Sequence, residues 1–383
     1  MRRLALAVLA SLLLVDAALP CTGVYVFKNG RALAGNNEDF WNPDTKIRFV
    51  PAEEGRHGRV YFGFGNLYPQ GGMNTAGLFF DGFATKRLPM TGMDGRAAFE
   101  GNLIDEAMAT CGSVAEVKAL FARYDLTFLE AAMLMFGDRH GDSIIVEGDE
   151  ILDKDGRFQV VTNFYQSRSP EKEWSCPRHA AATRMLGKSK RFTVERVRDV
   201  MKEVAVRGRV STQYTNVYDL TNGVVHLYHF LDYRHVVTLD LEEELAKGER
   251  VVDLPSLFPK KKSFERYRAE RQAEIDARKA GRVAKDVDRS RFPDLVGRYD
   301  VAFGKARRTL EVTLADGALL LGVAGAGDDQ RVELLPEGED RFFHVDFDGT
   351  TGVRFVRDEQ GAVTGFDYVN VLGNRYAGAR VRG

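Results

Sequence analysis

The alternation of apolar and polar positions divides the chain into strand-like blocks with two helical stretches between them. From Cys21 to Val50, Val24, Val26 and the Leu33 side alternate with polar residues around Lys28-Asn29-Gly30. An Asn-Gly pair between alternating runs predicts a tight β-hairpin. Its second strand runs into Gly35-Asn36-Asn37-Glu38-Asp39-Phe40, so Asp39 is expected beside Cys21. Two more strands are predicted at 60–64 and 78–83, with 71–77 as the turn between them. Over 97–123 the period changes: Phe99, Leu103, Ile104 and Ala107-Met108 recur at three and four, and Ser113-Val114-Ala115-Glu116 is a capping box opening a second helix.

Strands resume at 131–136, 143–147 and 157–162, and helices are expected at 178–186 and 194–204. A hairpin around Thr221-Asn222-Gly223 and a strand at 236–241 follow. Strand blocks separated by helix pairs predict a layered α+β domain with sheets sandwiched by helices. Residues 260–291 carry twelve Lys/Arg and six Asp/Glu without a core stripe. They read as a charged helical linker, with a basic docking segment as the alternative. From Phe292 onward, short strands alternate with turn signals such as Ala315-Asp316-Gly317 and Asp348-Gly349. That pattern predicts a small antiparallel β-barrel or sandwich. The expected organisation is a leader at 1–20, a catalytic domain at 21–258, a linker at 259–291 and a C-terminal β domain at 292–383.

Composition changes this picture little. The content is 44% apolar and 28% charged, an ordinary globular balance. A net charge of −1 gives no reason to expect nucleic acid or an anionic surface as partner. The N-terminus adds more. Met1-Arg2-Arg3 followed by the apolar run 4–15 has the charged start and short hydrophobic core of a secretory signal. The run is shorter than the roughly 20 residues a membrane span needs. An exported protein, secreted or periplasmic, without a membrane span is therefore expected. Cleavage after Val15-Asp16-Ala17 would leave Ala18-Leu19-Pro20 ahead of Cys21, so a second trimming step, by the enzyme on itself, is part of the reading. The competing reading is a lipoprotein anchored through the same cysteine, although Pro20 is not the small residue that such processing uses.

The chemistry centres on Cys21. Freed at the N-terminus, it would carry a nucleophilic sulfur and an α-amine of ordinary pKa about 7.7–8.0, a nucleophile and its base in one residue. Asp39 is placed to orient that amine, and Asn74 and Asn163 lie at strand ends, where their amides can serve as oxyanion donors. The remaining cysteines, Cys111 and Cys176, either pair or stay as buried thiols; the second is preferred. His226 and His229 fall on opposite faces of a strand, so no zinc site is expected. Asp138, His140 and Asp142 crowd one turn and read as a polar hairpin tip rather than a cation site.

Four motifs then resemble the choloylglycine hydrolase and penicillin V acylase family of N-terminal-nucleophile amidases, which also has acid-ceramidase-like and acyltransferase branches. They are Cys-Thr-Gly at 21–23, Gly-Asn-Asn-Glu-Asp at 35–39, Gly-Met-Asn-Thr-Ala-Gly-Leu at 72–78 and Val-Thr-Asn at 161–163, in register over 21–245. The resemblance implies a four-layer αββα sandwich, with Cys21 as nucleophile and Asp39 as the carboxylate steadying its amine. It implies Asn74 and Asn163 as oxyanion asparagines and Arg178 as an arginine near the nucleophile. The family's arginine in its Arg-Asn-x-Asp motif is Asn36 here. Asn36, Asn37, Phe40 and Phe64 are taken as substrate-binding residues. The implied activity is cofactor-free hydrolysis of a linear amide C–N bond in a small N-acyl substrate, through a thioester. Penicillin V, conjugated bile acids, acyl-homoserine lactones, N-acyl amino acids and small peptide amides are all candidates. Acyl transfer to an amine and a lipid-anchored, non-enzymatic binding protein are the alternatives. A homo-oligomer is left open.

Overall fold

The computed structural model describes residues 20–381 except 89, 94, 100, 169, 171–174, 304–305, 325–330, 347–348 and 370–374. Residues 1–19 of the leader read over 1–20, and Asp348 of one expected turn, lie outside the described residues. The chain divides into two compact units: Pro69–Phe264 with the stretch leading up to Phe64, and the part from Glu265 onward with Gly65–Tyr68.

The first unit mixes helices and strands. It opens with β1 (Thr22–Lys28), β2 (Arg31–Phe40), β3 (Thr45–Val50), β4 (Arg59–Phe64), β5 (Pro69–Asn74) and β6 (Phe79–Ala84). After helices α1 (Leu103–Thr110) and α2 (Val114–Phe121) come β7 (Ala132–Gly137), β8 (Ser143–Val146), β9 (Ile151–Asp153) and β10 (Phe158–Val161). Helices α3 (Pro177–Gly187) and α4 (Val194–Glu203) precede β11 (Ser211–Asp219), β12 (Val224–His229), β13 (Asp232–Asp240) and β14 (Arg250–Asp253). Two antiparallel sheets result, one ordered β10-β1-β2-β11-β12-β13 and the other β14-β3-β4-β5-β6-β7-β8-β9.

The β1–β2 hairpin turns on Asn29 (φ 53°) and Gly30 (φ 75°), the two left-handed residues of a primed two-residue turn. Its register runs from Lys28↔Arg31 to Thr22↔Asn37. β2 lies between β1 and β11, so its positions from Ala32 to Phe40 are all buried. Between the sheets, Tyr25, Ala34, Tyr214 and Tyr218 meet Phe62, Phe79, Phe83, Met73 and Met135. The opposite face of the six-stranded sheet packs Val24, Val26, Leu33 and Val217 against Ala182 and Leu186 of α3 and Val197 and Met201 of α4. The eight-stranded sheet packs Phe80, Leu134 and Phe136 against Ile104 and Met108 of α1 and Val117 and Phe121 of α2. Each fully buried side chain of this size contributes about 1.5–3 kcal/mol.

Two expectations are corrected. The stretch 71–77 is not simply a turn, because Pro69–Asn74 forms β5, paired with β4 on one side and β6 on the other. Its glycines lower the strand signal, yet the packing requires them: a Cβ on Gly72 would lie 2.3 Å from the Val60 carbonyl oxygen. Helix α1 begins only at Leu103, capped by Asn102; Phe99 lies outside it and packs edge-on against Tyr124 at 4.9 Å. The Ser113–Glu116 cap opens α2, with the Ser113 hydroxyl accepting from the Glu116 N–H.

The second unit takes the helix Lys262–Ala280 from Glu265 onward and eight antiparallel strands, from Gly297–Phe303 to Arg375–Arg380. They close into a barrel where Tyr299 pairs with Arg380. Tyr299, Val312, Leu321, Phe342, Phe355 and Phe366 fill its core. Among the described residues, no helix is long and apolar enough to cross a membrane.

Candidate active site

Cys21 sits immediately before β1, with its side chain in the apolar layer between the sheets and only 3% of its surface exposed. The hairpin register that pairs Thr22 with Asn37 puts Glu38 across from Cys21 on the same face. Cys21 Sγ lies 3.7 Å from Glu38 Oε1 and 4.0 Å from the main-chain oxygen of Asp39. The small residue of Cys-Thr-Gly has a packing reason. A Cβ on Gly23 would fall 2.5 Å from Phe83 Cζ, a ring of the facing sheet.

β11 continues the site on the other side of β2, with Tyr214 opposite Glu38 and Asn216 opposite Asn36. A bulge between Thr212 and Tyr214 lets Thr212 pair with Asp39, and the Thr212 hydroxyl donates to Asp39 Oδ1. Asp81 of β6 reaches in from the facing sheet, and Asn36 Nδ2 donates to its Oδ1 at 3.3 Å. The approach is close: a Cβ on Gly71, the neighbour of Asp81 across β5, would lie 2.5 Å from that oxygen.

Arg178, near the start of α3, ties this face to the main chain. One guanidinium nitrogen donates to the Cys21 carbonyl and, at 2.7 Å, to Thr22 Oγ1; the other donates to Asn163 Oδ1 at 3.0 Å. Asn163 follows β10 and donates in turn to the Ala84 carbonyl at the end of β6, at 2.8 Å. Arg178 and Asn163 thus bridge the two sheets beside Cys21.

The electrostatics follow from burial. Desolvation pushes the Cys21 thiol well up, and the Glu38 and Asp39 carboxyls push it further. Burial, then the charge of Asp39, raises Glu38 to about 8. Burial also raises Asp39 to about 8, against the Thr212 hydrogen bond and the Arg178 charge. Asp81 rises through burial and then through Glu38.

The structure thus brings Cys21, Asp39, Asn163, Arg178 and Asn36 together. It does not bring Asn74. Both Asn74 amide hydrogens are taken by the Met108 and Cys111 carbonyls at 2.8 Å, and its oxygen accepts from Ala76 and Leu78. With no donor left for an oxyanion, Asn74 is a turn residue that holds the end of α1. Asn37 also turns away from the thiol, because adjacent strand residues face opposite sides. Its amide donates to the Met201 carbonyl and accepts from Thr215, so it anchors α4 rather than a substrate. Phe40 and Phe64 pack against each other with their rings tilted and their centroids 4.6 Å apart, both buried.

Glu38 and Asp81 were not singled out from the sequence. Counting outward from the Asn29-Gly30 turn pairs Cys21 with Glu38, so that one signal was available; the approach of Asp81 from the other sheet had none.

His229 is buried among aromatic rings, 4.3 Å from Phe264, with its pKa lowered to about 4, whereas His226 faces Thr238. Asp138 accepts from the backbone of His140, Gly141 and Asp142 and from Val114 at the start of α2. Among the described residues, no three such side chains are arranged to hold a metal ion. Cys111 and Cys176 are free thiols.

No protein-family model matches the chain, and no curated protein matches it by sequence. Solved structures do. A mutant form of conjugated bile acid hydrolase from Clostridium perfringens aligns with 18% identity over 63% of this chain and 97% of its own, with a TM-score of 0.47. A second variant of that hydrolase aligns with 18% identity over 61% of this chain and 96% of its own, at a TM-score of 0.46. Penicillin V acylase from Agrobacterium tumefaciens aligns with 18% identity over 61% of this chain and 91% of its own, also at 0.46.

Proposed function

We propose that this chain is an exported amidase of the N-terminal-nucleophile type, in which the two sheets and their flanking helices form a four-layer αββα sandwich. The Cys21 sulfur attacks the carbonyl of a small N-acyl amide, the amine leaves, and water releases the acyl group from the thioester. Removal of the residues ahead of Cys21 frees its α-amine. Asp39 is ready to accept it: one carboxyl oxygen holds the Thr212 hydroxyl, while Oδ2 is buried without a partner. Arg178 and Asn163 fix the main chain on which the thiol stands.

One observation carries this reading. A buried thiol, a buried carboxyl pair and an arginine on the thiol's own carbonyl converge at the residue where the motifs place the nucleophile. The same burial weighs against the anchored-binder alternative, since a lipid thioether on Cys21 would have to thread into the apolar layer between the sheets. The test is hydrolysis of a panel of chromogenic N-acyl amides by the exported protein and by Cys21→Ala. Cleavage by the first that disappears in the second, at unchanged melting temperature, is expected. Equal cleavage by both would remove the proposal.

A further inference from the structure

We propose that Glu38 is a catalytic residue of this site: its carboxylate takes the Cys21 thiol proton as sulfur bonds to the carbonyl carbon, and returns it to the leaving amine. The reacting carbonyl rests on the amidase reading; the thiol–carboxyl pair stands on geometry alone.

Glu38 Oε1 is the side-chain oxygen facing Sγ, at 3.7 Å, and the hairpin register fixes the two residues opposite each other. Its other oxygen, Oε2, is buried and makes no hydrogen bond in the structure, although the Tyr214 hydroxyl lies close enough to favour the carboxylate, and among the described residues Glu38 forms no ion pair. A carboxyl with a structural role would be expected to have its lone pairs filled, as Glu147 does with the backbone of Gln166 and Ser167. The neighbouring amide of Asn36 is turned to Asp81 instead.

The groups that face Glu38 are Cys21 just before β1, Asp39 from its own strand, Tyr214 and Tyr218 from β11 and Asp81 from β6 of the facing sheet. None of them is cationic. The Arg178 charge acts on Asp39 instead. In this environment Glu38 titrates near 8, where a carboxyl can both accept and release a proton close to neutral pH.

Two carboxyls then divide the work: Asp39 holds the α-amine once it is freed, and Glu38, in place of that amine, takes the proton from sulfur. The nitrogen of Cys21 is part of the Pro20–Cys21 amide until that bond is cut, and an amide nitrogen is no base. Glu38 is available before and after the cut. In balance, the S–H bond breaks as S–C forms and the proton goes to Glu38. The C–N bond breaks as that proton passes to the amine. Water then gives its proton to Glu38 while attacking the thioester, and the departing sulfur recovers it.

The test uses the full chain without any amide substrate. The rate of Cys21 alkylation by iodoacetamide is followed from pH 5 to 10 by the mass of the peptide containing Cys21, in the wild type, Glu38→Gln and Glu38→Asp. The wild-type rate is expected to rise through a step near pH 8. Glu38→Gln should lose that step and react roughly a hundredfold more slowly at neutral pH. Were Glu38 only a buried negative neighbour, its removal would relieve repulsion on the thiolate and speed the reaction. Faster or unchanged alkylation of Glu38→Gln overturns the proposal. Should that variant fail to fold, Glu38→Asp decides: a retained step at a lower rate supports the proposal, and a rate equal to or above wild type overturns it. An intact step in a chain that cleaves no amide would reject the amidase and leave the thiol–carboxyl pair standing.

Discussion

Arg178 holds the main-chain carbonyl of Cys21 with one guanidinium nitrogen and Asn163 with the other. The main chain at Cys21 is thereby fixed by a helix that belongs to neither sheet. Only a planar fork can make both contacts together with the one to Thr22. Arg178→Lys is therefore expected to lower kcat about tenfold or more and to lose about 1.5–3 kcal/mol of stability, the range for hydrogen bonds to a charged group. Steady-state rates and urea unfolding check both.

Gly23 is set by the ring above it. Gly23→Ala drives a methyl into Phe83, 2.5 Å away, and should cost about 1–3 kcal/mol as overpacking does. Adding Phe83→Leu should recover part of the loss. A single variant as stable as wild type by thermal unfolding would mean that the two sheets can move apart there.

Asn74→Ala separates a structural residue from an oxyanion donor. It strands the Met108 and Cys111 carbonyls and two backbone N–H groups. A stability loss of about 2 kcal/mol or more is expected, from unsatisfied buried groups. The kcat of the folded variant should change less than tenfold. Loss of a true oxyanion donor costs about a hundred- to a thousandfold, and a fall of that size would restore Asn74 to the catalytic centre.

The acidic cluster makes stability depend on pH with a definite sign. Glu38 and Asp39 are raised to about 8, above the ordinary carboxylate values of about 4 that they regain on unfolding. Between those limits the folded chain binds more protons than the unfolded one. Their contribution is thus fully present below about pH 4 and is lost as pH rises through about 8. Glu38→Gln removes one titrating group, so its stability should fall less steeply over that window and exceed wild type at pH 8. Chemical denaturation at several pH values measures the slope; an unchanged slope would mean that Glu38 is ionised throughout.

The parts of this site that were legible are those governed by local rules. The Asn29-Gly30 turn sets the hairpin, and the hairpin returns Glu38 and Asp39 to Cys21. Strand alternation alone decides that Asn36 and Asn37 cannot both face the thiol, and the structure gives that face to Asn36. The rest depends on chain that arrives from far away. Asn74 looks like a free amide at a turn until the carbonyls at the end of α1 close on it. Asp81 joins the thiol's surroundings only because two sheets stack, and Phe40 meets Phe64 for a similar non-local reason. The glycines that disguised β5 are those that its neighbours leave no room to replace.

The central claim, that Cys21 Sγ carries the acyl group, is tested most directly by trapping it. Purified protein is mixed with an N-acyl amide, quenched in acid within seconds, and the peptide containing Cys21 is weighed. The expected result is a mass increase equal to the acyl group on that peptide, removed by neutral hydroxylamine and absent from Cys21→Ala. An acyl group on another residue, or turnover that proceeds unchanged in Cys21→Ala, would contradict the account.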